Sequence, residues 1–224
     1  MVIDWSVAIR SLPILLKGAV ITLELTAGAV AMGVVIGMFM ALARLSKRWP
    51  LRAFATAYID FLRGTPLLVQ IFLVYFAAPQ LFHFQPPDKY PYIAGILAMG
   101  LNSGAYIAEI FRAGIQSIDR GQSEAARSLG MTQAQALRYI ILPQAIKRVI
   151  PPLGNEFIAM LKDSSLVAVI AMEELFYSGK LIVGNTLQSF PIYGTVALIY
   201  LAMTMTISRI LGVVERRLGK SDIR

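Results

Sequence analysis

Long runs of uncharged residues limit the folds open to this chain more than any other feature. In the 26 residues between Lys17 and Arg44 the only charge is Glu24, and such a run makes about 39 Å of helix, against about 30 Å for the hydrocarbon core of a bilayer. Charged residues make up only 15% of the chain, compared with about 25% in soluble domains. The sequence therefore predicts an all-α integral membrane protein. Three similar uncharged stretches follow the first, at 64–87, 90–108 and 181–208.

A fifth hydrophobic stretch is interrupted by prolines and charged residues. Two adjacent prolines lie near its start, and Glu156, Lys162 and Asp163 lie inside it. Ionisable groups at membrane depth usually face the interior of a helix bundle or a wet cavity. We therefore predict that this stretch is a span that lines a cavity. The five predicted spans cover about 18–43, 56–79, 90–111, 146–170 and 188–208.

Glycines and a proline predict the shape of the first two spans. Gly33 and Gly37 lie four residues apart in the first span, a spacing that lets another helix approach closely. In the second span, the sequence Gly-Thr-Pro at 64–66 predicts a bend.

The positions of the basic residues predict the orientation of the chain. Fifteen of its 21 Lys and Arg residues fall in segments 44–52, 112–148 and 209–224, and only four fall in the alternate connecting segments. Because basic residues accumulate in cytoplasmic loops, we expect the N-terminus outside and the C-terminus in the cytoplasm. The net charge of +8 then reflects membrane orientation and does not indicate nucleic-acid binding.

These expectations divide the chain into three parts. Residues 1–17 form an external N-terminal segment, 18–214 a single transmembrane domain and 215–224 a cytoplasmic tail. Within the domain, the longest cytoplasmic loop is 112–145.

This loop has the sequence signature of a helix-turn-helix elbow. Gly130 follows the first short helix, at the position where glycine closes a helix in the left-handed conformation. Thr132 and Gln135 then form a capping-box pattern that begins the second helix. The few apolar residues of the elbow are too small to form a core, which leaves two interpretations: a partner protein covers the elbow, or the elbow lies on lipid headgroups.

Three separated motifs resemble those of one transporter family. Residues 124–126 read Glu-Ala-Ala and are followed by Gly130 and by Leu-Pro at 142–143, which is similar to the EAA motif of type I ATP-binding cassette (ABC) importer permeases. The segments 61–70 (FLRGTPLLVQ) and 161–166 (LKDSSL) look like the branch of that family that takes up polar amino acids such as His, Arg, Lys, Gln and Glu. The resemblance implies a multi-pass permease subunit in the bacterial cytoplasmic (inner) membrane.

The same resemblance implies the partners. The elbow would be the coupling helix that docks on a dimer of cytoplasmic ATP-binding subunits, beside a second permease copy or a homologous permease, and an external solute-binding protein would deliver the amino acid. The chain itself lacks a phosphate-binding loop, because its Gly-Lys-Ser at 219–221 follows a predicted span and has Val214 in place of the first glycine. We therefore expect the chain not to be an enzyme. The coupling residues that the motif implies are Glu124, Ala125, Ala126, Gly130, Leu142 and Pro143.

Polar residues inside the spans predict the substrate site. Asn102, Tyr106 and Glu109 share one face of the third span, and Glu156 and Asp163 stand seven residues apart in the fifth predicted stretch. We expect both faces to line one cavity, where paired carboxylates suit the ammonium or guanidinium group of a cationic amino acid. The predicted substrate-binding set is Asn102, Tyr106, Glu109, Glu156, Met160, Asp163 and Ser164.

Two alternatives stay open at this point. In the first, the carboxylates do not bind substrate: Arg112 pairs with Glu109, Lys162 neutralises its neighbour Asp163, and these pairs only stabilise the helix bundle. The other is a secondary, ion-coupled amino acid transporter without an ATPase partner, in which buried carboxylates carry protons. An intramembrane hydrolase is disfavoured, because the single histidine, His83, lies outside the spans. The chain has no cysteine, and we predict neither a metal site nor a cofactor.

Overall fold

The computed structural model describes residues 3–219, which form helices and, within this range, no strand. The ten α-helices of the described residues are α1 (Trp5–Arg44), α2 (Trp49–Gly64), α3 (Leu67–Phe72), α4 (Ala78–Phe82), α5 (Tyr90–Gln116), α6 (Arg120–Ser128), α7 (Gln133–Ala136), α8 (Leu142–Asp163), α9 (Leu175–Thr186) and α10 (Ser189–Gly219). A 3-10 helix, Ser164–Ile170, follows α8, and π-helical turns at Leu73–Ala77 and Leu137–Ile141 connect α3 to α4 and α7 to α8.

Three of these helices, α1, α5 and α10, are long and apolar enough to cross a membrane. The bent pair formed by α2 and Leu67–Phe82 makes a fourth if its two halves are one broken span. Large apolar side chains such as Leu16, Phe39 and Leu198 lie exposed on α1 and α10, as expected for helices that contact lipid. The helical membrane fold is confirmed. The span predicted over 146–170 stays a prediction, because α8 carries several charged residues. The number of spans and the orientation of the chain therefore also stay predictions.

The helix boundaries differ from the predicted spans in three places. α1 begins at Trp5, where Asp4 caps the first turn by accepting a hydrogen bond from the backbone N–H of Ser6 (2.8 Å), so most of the segment predicted over 1–17 is helical. α9 occupies a connection for which the sequence predicts no helix. α10 extends to Gly219, so the predicted tail begins as helix; residues 1–2 and 220–224 lie outside the described range.

α1 and α5 form the most extensive helix pair of the described structure, and small residues allow it. A β-carbon added to Gly37 would lie 2.9 Å from both the backbone nitrogen of Ala108 and the carbonyl oxygen of Gly104. One added to Gly33 would lie 3.0 Å from Cβ of Ser103. The predicted close helix approach is therefore confirmed, and it fixes the position of Ser103 on α5.

The second predicted span is broken where the sequence predicts a bend. The chain bends by 107° between α2 and Leu67–Phe82. The backbone at Thr65 and Pro66 is extended there, because proline disfavours the helical conformation at the residue before it. The carbonyl of Leu62 near the break accepts hydrogen bonds from the side-chain amides of Gln70 (2.8 Å) and Asn102 (3.3 Å). An unpaired carbonyl in hydrocarbon costs several kcal/mol, so these two amides stabilise the break.

Glu174 joins three helices at one fully buried point. Its carboxylate caps α9 by accepting hydrogen bonds from the backbone N–H groups of Phe176 (2.8 Å) and Tyr177 (2.7 Å). The hydroxyl group of Tyr200 in α10 donates to the same carboxylate (2.9 Å), and the hydroxyl of Thr22 in α1, whose proton has a closer backbone acceptor (3.1 Å), lies 3.4 Å from it. Three donors and this contact compensate for the burial of the carboxylate, so Glu174 holds α9 against α1 and α10.

We expect Glu174→Gln to destabilise the fold. The glutamine NH2 group must replace one acceptor oxygen, and it then faces a donor, which leaves a buried polar group unpaired at a cost of about 1–3 kcal/mol. Thermal unfolding of the purified protein in detergent should show a lower Tm than the wild type. The matched control is Glu173→Gln, which changes the exposed neighbouring carboxylate; an equal loss of Tm in both variants would contradict the role of Glu174.

Candidate functional site

A cavity of about 510 Å3 opens between the end of α2, the second half of α5 and the middle of α8. Arg63 of α2, Tyr106 and Glu109 of α5, and Arg148 and Glu156 of α8 contribute its polar wall. Three predicted substrate-binding residues, Tyr106, Glu109 and Glu156, therefore meet in one cavity. Its volume lies in the range of small-molecule sites, roughly 300–1,000 Å3.

Glu156 is the half-buried carboxylate of this cavity. The hydroxyl of Ser103 donates a hydrogen bond to its Oε1 (2.9 Å), which links α5 to α8. Among the residues that the structure describes, Glu156 forms no salt bridge. The burial of such a carboxylate is compensated by this one hydrogen bond and by no cation of the described chain.

Glu109, in contrast, lies within a cluster of arginines. Arg112 donates to both of its carboxylate oxygens, to Oε2 at 2.8 Å and to Oε1 at 3.2 Å, and Arg44 of α1 donates to Oε1. Arg63 approaches Oε2 to 4.0 Å. The Glu109–Arg112 pair, which the sequence offers as an alternative to substrate binding, is thus present. The cluster joins α1, α2 and α5, and a direct contact of Glu109 with substrate stays a prediction.

The remaining four residues of the predicted set lie away from the wall of this cavity. Asn102 is buried, and its amide nitrogen donates to Oε1 of Gln70 (3.0 Å) beside the broken helix. Met160 is 2% exposed and packs in a hydrophobic core cluster. Ser164 is buried and donates to the carbonyl of Leu161 (2.8 Å), whereas Asp163 is exposed.

The predicted set misses both arginines of the cavity, Arg63 and Arg148. Arg63 is the one that contacts predicted residues. It stands one residue before the end of α2, and its guanidinium lies 5.2 Å from the centre of the Tyr106 ring. The sequence feature that could have pointed to Arg63 is a basic residue within a hydrophobic stretch, directly before Gly-Thr-Pro. The sequence alone does not show that this side chain meets α5 and α8.

The loop that contains α6 and α7 has the two local features that its sequence predicts. Gly130 adopts a φ of 85°, and the N–H of Met131 donates to the carbonyl of Ala126 (3.1 Å), which closes α6 in a Schellman motif. Thr132 and Gln135 form the predicted capping box at the start of α7. The turn between α6 and α7 is therefore set by its own residues.

The surface of this loop is partly apolar. Leu129 is 85% exposed, and Glu124 and Ala125 are also exposed, whereas Ala126 is buried. Leu142 and Pro143 lie in the first turn of α8 and are exposed. An exposed leucine next to small residues is a surface that a partner can cover. The coupling role of these residues stays a prediction.

The sequence over residues 33–220 matches the protein family described as the binding-protein-dependent transport system inner membrane component. The chain belongs to this family. It is therefore a permease subunit, a membrane component of a transport system and not an enzyme, and the resemblance drawn from the three motifs is confirmed.

Several permeases are similar to this chain over nearly their whole length. The glutamine transport system permease protein GlnP of Escherichia coli (strain K12) is 40% identical over 215 residues, which cover 96% of this chain and 97% of that protein. The probable glutamine ABC transporter permease protein GlnM of Bacillus subtilis (strain 168) is 44% identical over 197 residues, covering 86% and 88%.

Solved structures of ABC transporters share the fold of this permease. The crystal structure of an amino acid ABC transporter with histidines superposes with a TM-score of 0.91 at 46% identity, over 97% of this chain and 100% of that one. An inward-facing structure of the MetNI methionine ABC transporter superposes with a TM-score of 0.68 at 19% identity, over 92% and 98%, and shows the fold alone.

Proposed function

We propose that this permease is the membrane-spanning subunit of an ABC importer that moves polar, preferentially cationic, amino acids across the bacterial cytoplasmic membrane. The observation that carries the proposal is Glu156, the carboxylate of the cavity without a salt bridge in the described chain. An amino acid with a guanidinium or ammonium side chain would supply the missing charge. The relatives are named as glutamine or amino acid transport proteins, and these names support amino acids as the substrate class.

The partners follow from the same proposal. Two ATP-binding subunits would dock on the loop around Gly130, where an exposed leucine and a turn fixed by its own residues support a docking surface. ATP changes the conformation of such a complex only through its different affinity for the two states, which the docked loop would transmit. A second permease copy or a homologous permease would complete the pathway, and an external solute-binding protein would deliver the substrate. The secondary-transporter alternative is not favoured by the family.

The test is the substrate dependence of ATP hydrolysis by the complex in liposomes. We expect arginine, lysine or histidine to stimulate hydrolysis at lower concentrations than glutamine or glutamate. Glu156→Gln should raise the concentration of arginine needed for half-maximal stimulation by about tenfold to a hundredfold, because a hydrogen bond to a charged group contributes about 1.5–3 kcal/mol.

The matched control for this variant is Glu24→Gln, which neutralises an exposed carboxylate of α1. It should leave the preference for arginine unchanged. Stronger stimulation of the wild type by glutamate than by arginine would contradict the cationic preference.

A further inference from the structure

Arg63 is a cation of the cavity that no partner fully engages. Its guanidinium lies 4.0 Å from Oε2 of Glu109, which is longer than a hydrogen bond, and it faces the Tyr106 ring. Within residues 3–219 it donates no hydrogen bond, and its side chain is 42% exposed. The five N–H groups of a guanidinium are therefore available to an acceptor that enters the cavity.

Most other charged groups around this cavity already have partners. Glu109 accepts hydrogen bonds from Arg44 and Arg112, and the guanidinium of Arg148 donates to the backbone carbonyl of Ser117. Within the described residues, Arg63 donates no hydrogen bond and Glu156 accepts one only from Ser103, so both groups keep hydrogen-bonding capacity for a ligand. A cavity that offers such groups of both signs is complementary to a ligand that itself carries both charges.

We propose that Arg63 binds the α-carboxylate of the transported amino acid. A guanidinium forms two parallel hydrogen bonds with a carboxylate, a geometry that lysine does not offer. Glu156 of α8 would bind a cationic group of the same molecule. This inference rests on the proposed function, but it concerns a group that every amino acid shares, so it does not depend on which side chain is carried.

The experiment compares ligands with and without the α-carboxylate. Radiolabelled arginine is bound to the purified complex of permease and ATP-binding subunits in nanodiscs, without the solute-binding protein, and displaced by arginine or by agmatine, its decarboxylated form. For the wild type, agmatine should be at least about tenfold weaker than arginine, because it lacks the group that Arg63 binds. For Arg63→Gln, arginine should weaken by about tenfold or more while agmatine stays unchanged, so that the two ligands become nearly equal.

Arg63→Lys separates charge from geometry and also retains the positive charge beside Glu109. It should bind arginine less tightly than the wild type and more tightly than Arg63→Gln. Arg52→Gln, which removes an exposed arginine from the same helix, should leave both affinities unchanged. Each variant should show a single folded species and a Tm close to that of the wild type.

The outcomes separate this role from the proposed function. An equal loss of arginine and agmatine binding in Arg63→Gln and Arg63→Lys, or no loss of either, would overturn the assignment of Arg63 alone. If glutamine and not arginine binds the wild type, the cationic preference fails, and the same comparison is made between glutamine and 4-aminobutanamide. Failure of the wild type to bind any amino acid would overturn the proposed function and this role together.

Discussion

Replacing Gly130 with valine is expected to lower ATP-driven uptake by at least about tenfold without unfolding the permease. A β-branched residue at a φ of 85° is strongly disfavoured, and a left-handed residue other than glycine costs about 1–2 kcal/mol even without the branch. Apart from Gly130 and its two chain neighbours, no described atom lies within 4 Å of the position that a β-carbon would take, so the effect comes from the backbone conformation and not from a clash with another part of the protein. α6 and α7 would then lose the angle at which we propose that they dock.

Gly130→Asn is the matched control, because asparagine tolerates the left-handed conformation better than other side chains. It should retain most of the uptake, whereas Gly130→Val should hydrolyse ATP with little transport or assemble poorly with the ATP-binding subunits. Uptake and ATP hydrolysis are measured in the same liposomes, and Tm is measured in detergent. Equal uptake by the wild type and Gly130→Val would contradict the coupling role and would instead favour a transporter that needs no ATPase.

Gly37→Ala is expected to destabilise the packing of α1 against α5. The new β-carbon would meet the backbone of α5 at two atoms, and backbone cannot move aside as the end of a side chain can. Forcing an extra methyl group into a close-packed contact costs about 1–3 kcal/mol, and the helices would have to separate along their whole interface. Thermal unfolding followed by size-exclusion chromatography in detergent should show a markedly lower Tm and less monodisperse protein.

The control for this substitution is Gly28→Ala in the same helix. There the added carbon would meet only the flexible side chain of Ile96, at 3.2 Å from its Cδ1. We expect a small change in Tm. Similar losses in the two variants would mean that the contact between α1 and α5 is less rigid than the distances imply.

The sequence predicts best those features that depend on neighbouring residues. The uncharged runs, the closure of α6 at Gly130 and the capping box of Thr132 with Gln135 all rest on interactions within one or two turns. Gly33 and Gly37 predict a close helix approach for the same reason, since the spacing itself creates the flat surface. The partner helix, α5, cannot be inferred from that spacing.

Helical periodicity says which side chains share a face, but not what that face meets. Asn102 shares a face with Glu109, yet its amide is used by the broken helix, about 40 residues earlier in the sequence. Met160 lies four residues from Glu156 and is buried in the core, because α8 turns that side inward. Arg63 of α2 meets Tyr106 and Glu109 of α5, which lie more than 40 residues later in the sequence. These placements depend on tertiary packing, which a single sequence does not contain.

The break after α2 also places the C-terminal end of a helix, with its partial negative charge, inside the bundle. The carbonyl of Leu62, in the last turn of α2, is bonded to Asn102 near the middle of α5, so the end of α2 lies deep in the bundle. A helix C-terminus carries about half a negative charge, which favours a cation in its last turn, and Arg63 occupies that turn. An unbroken span would have no helix end at this depth and would hold a guanidinium there at greater cost.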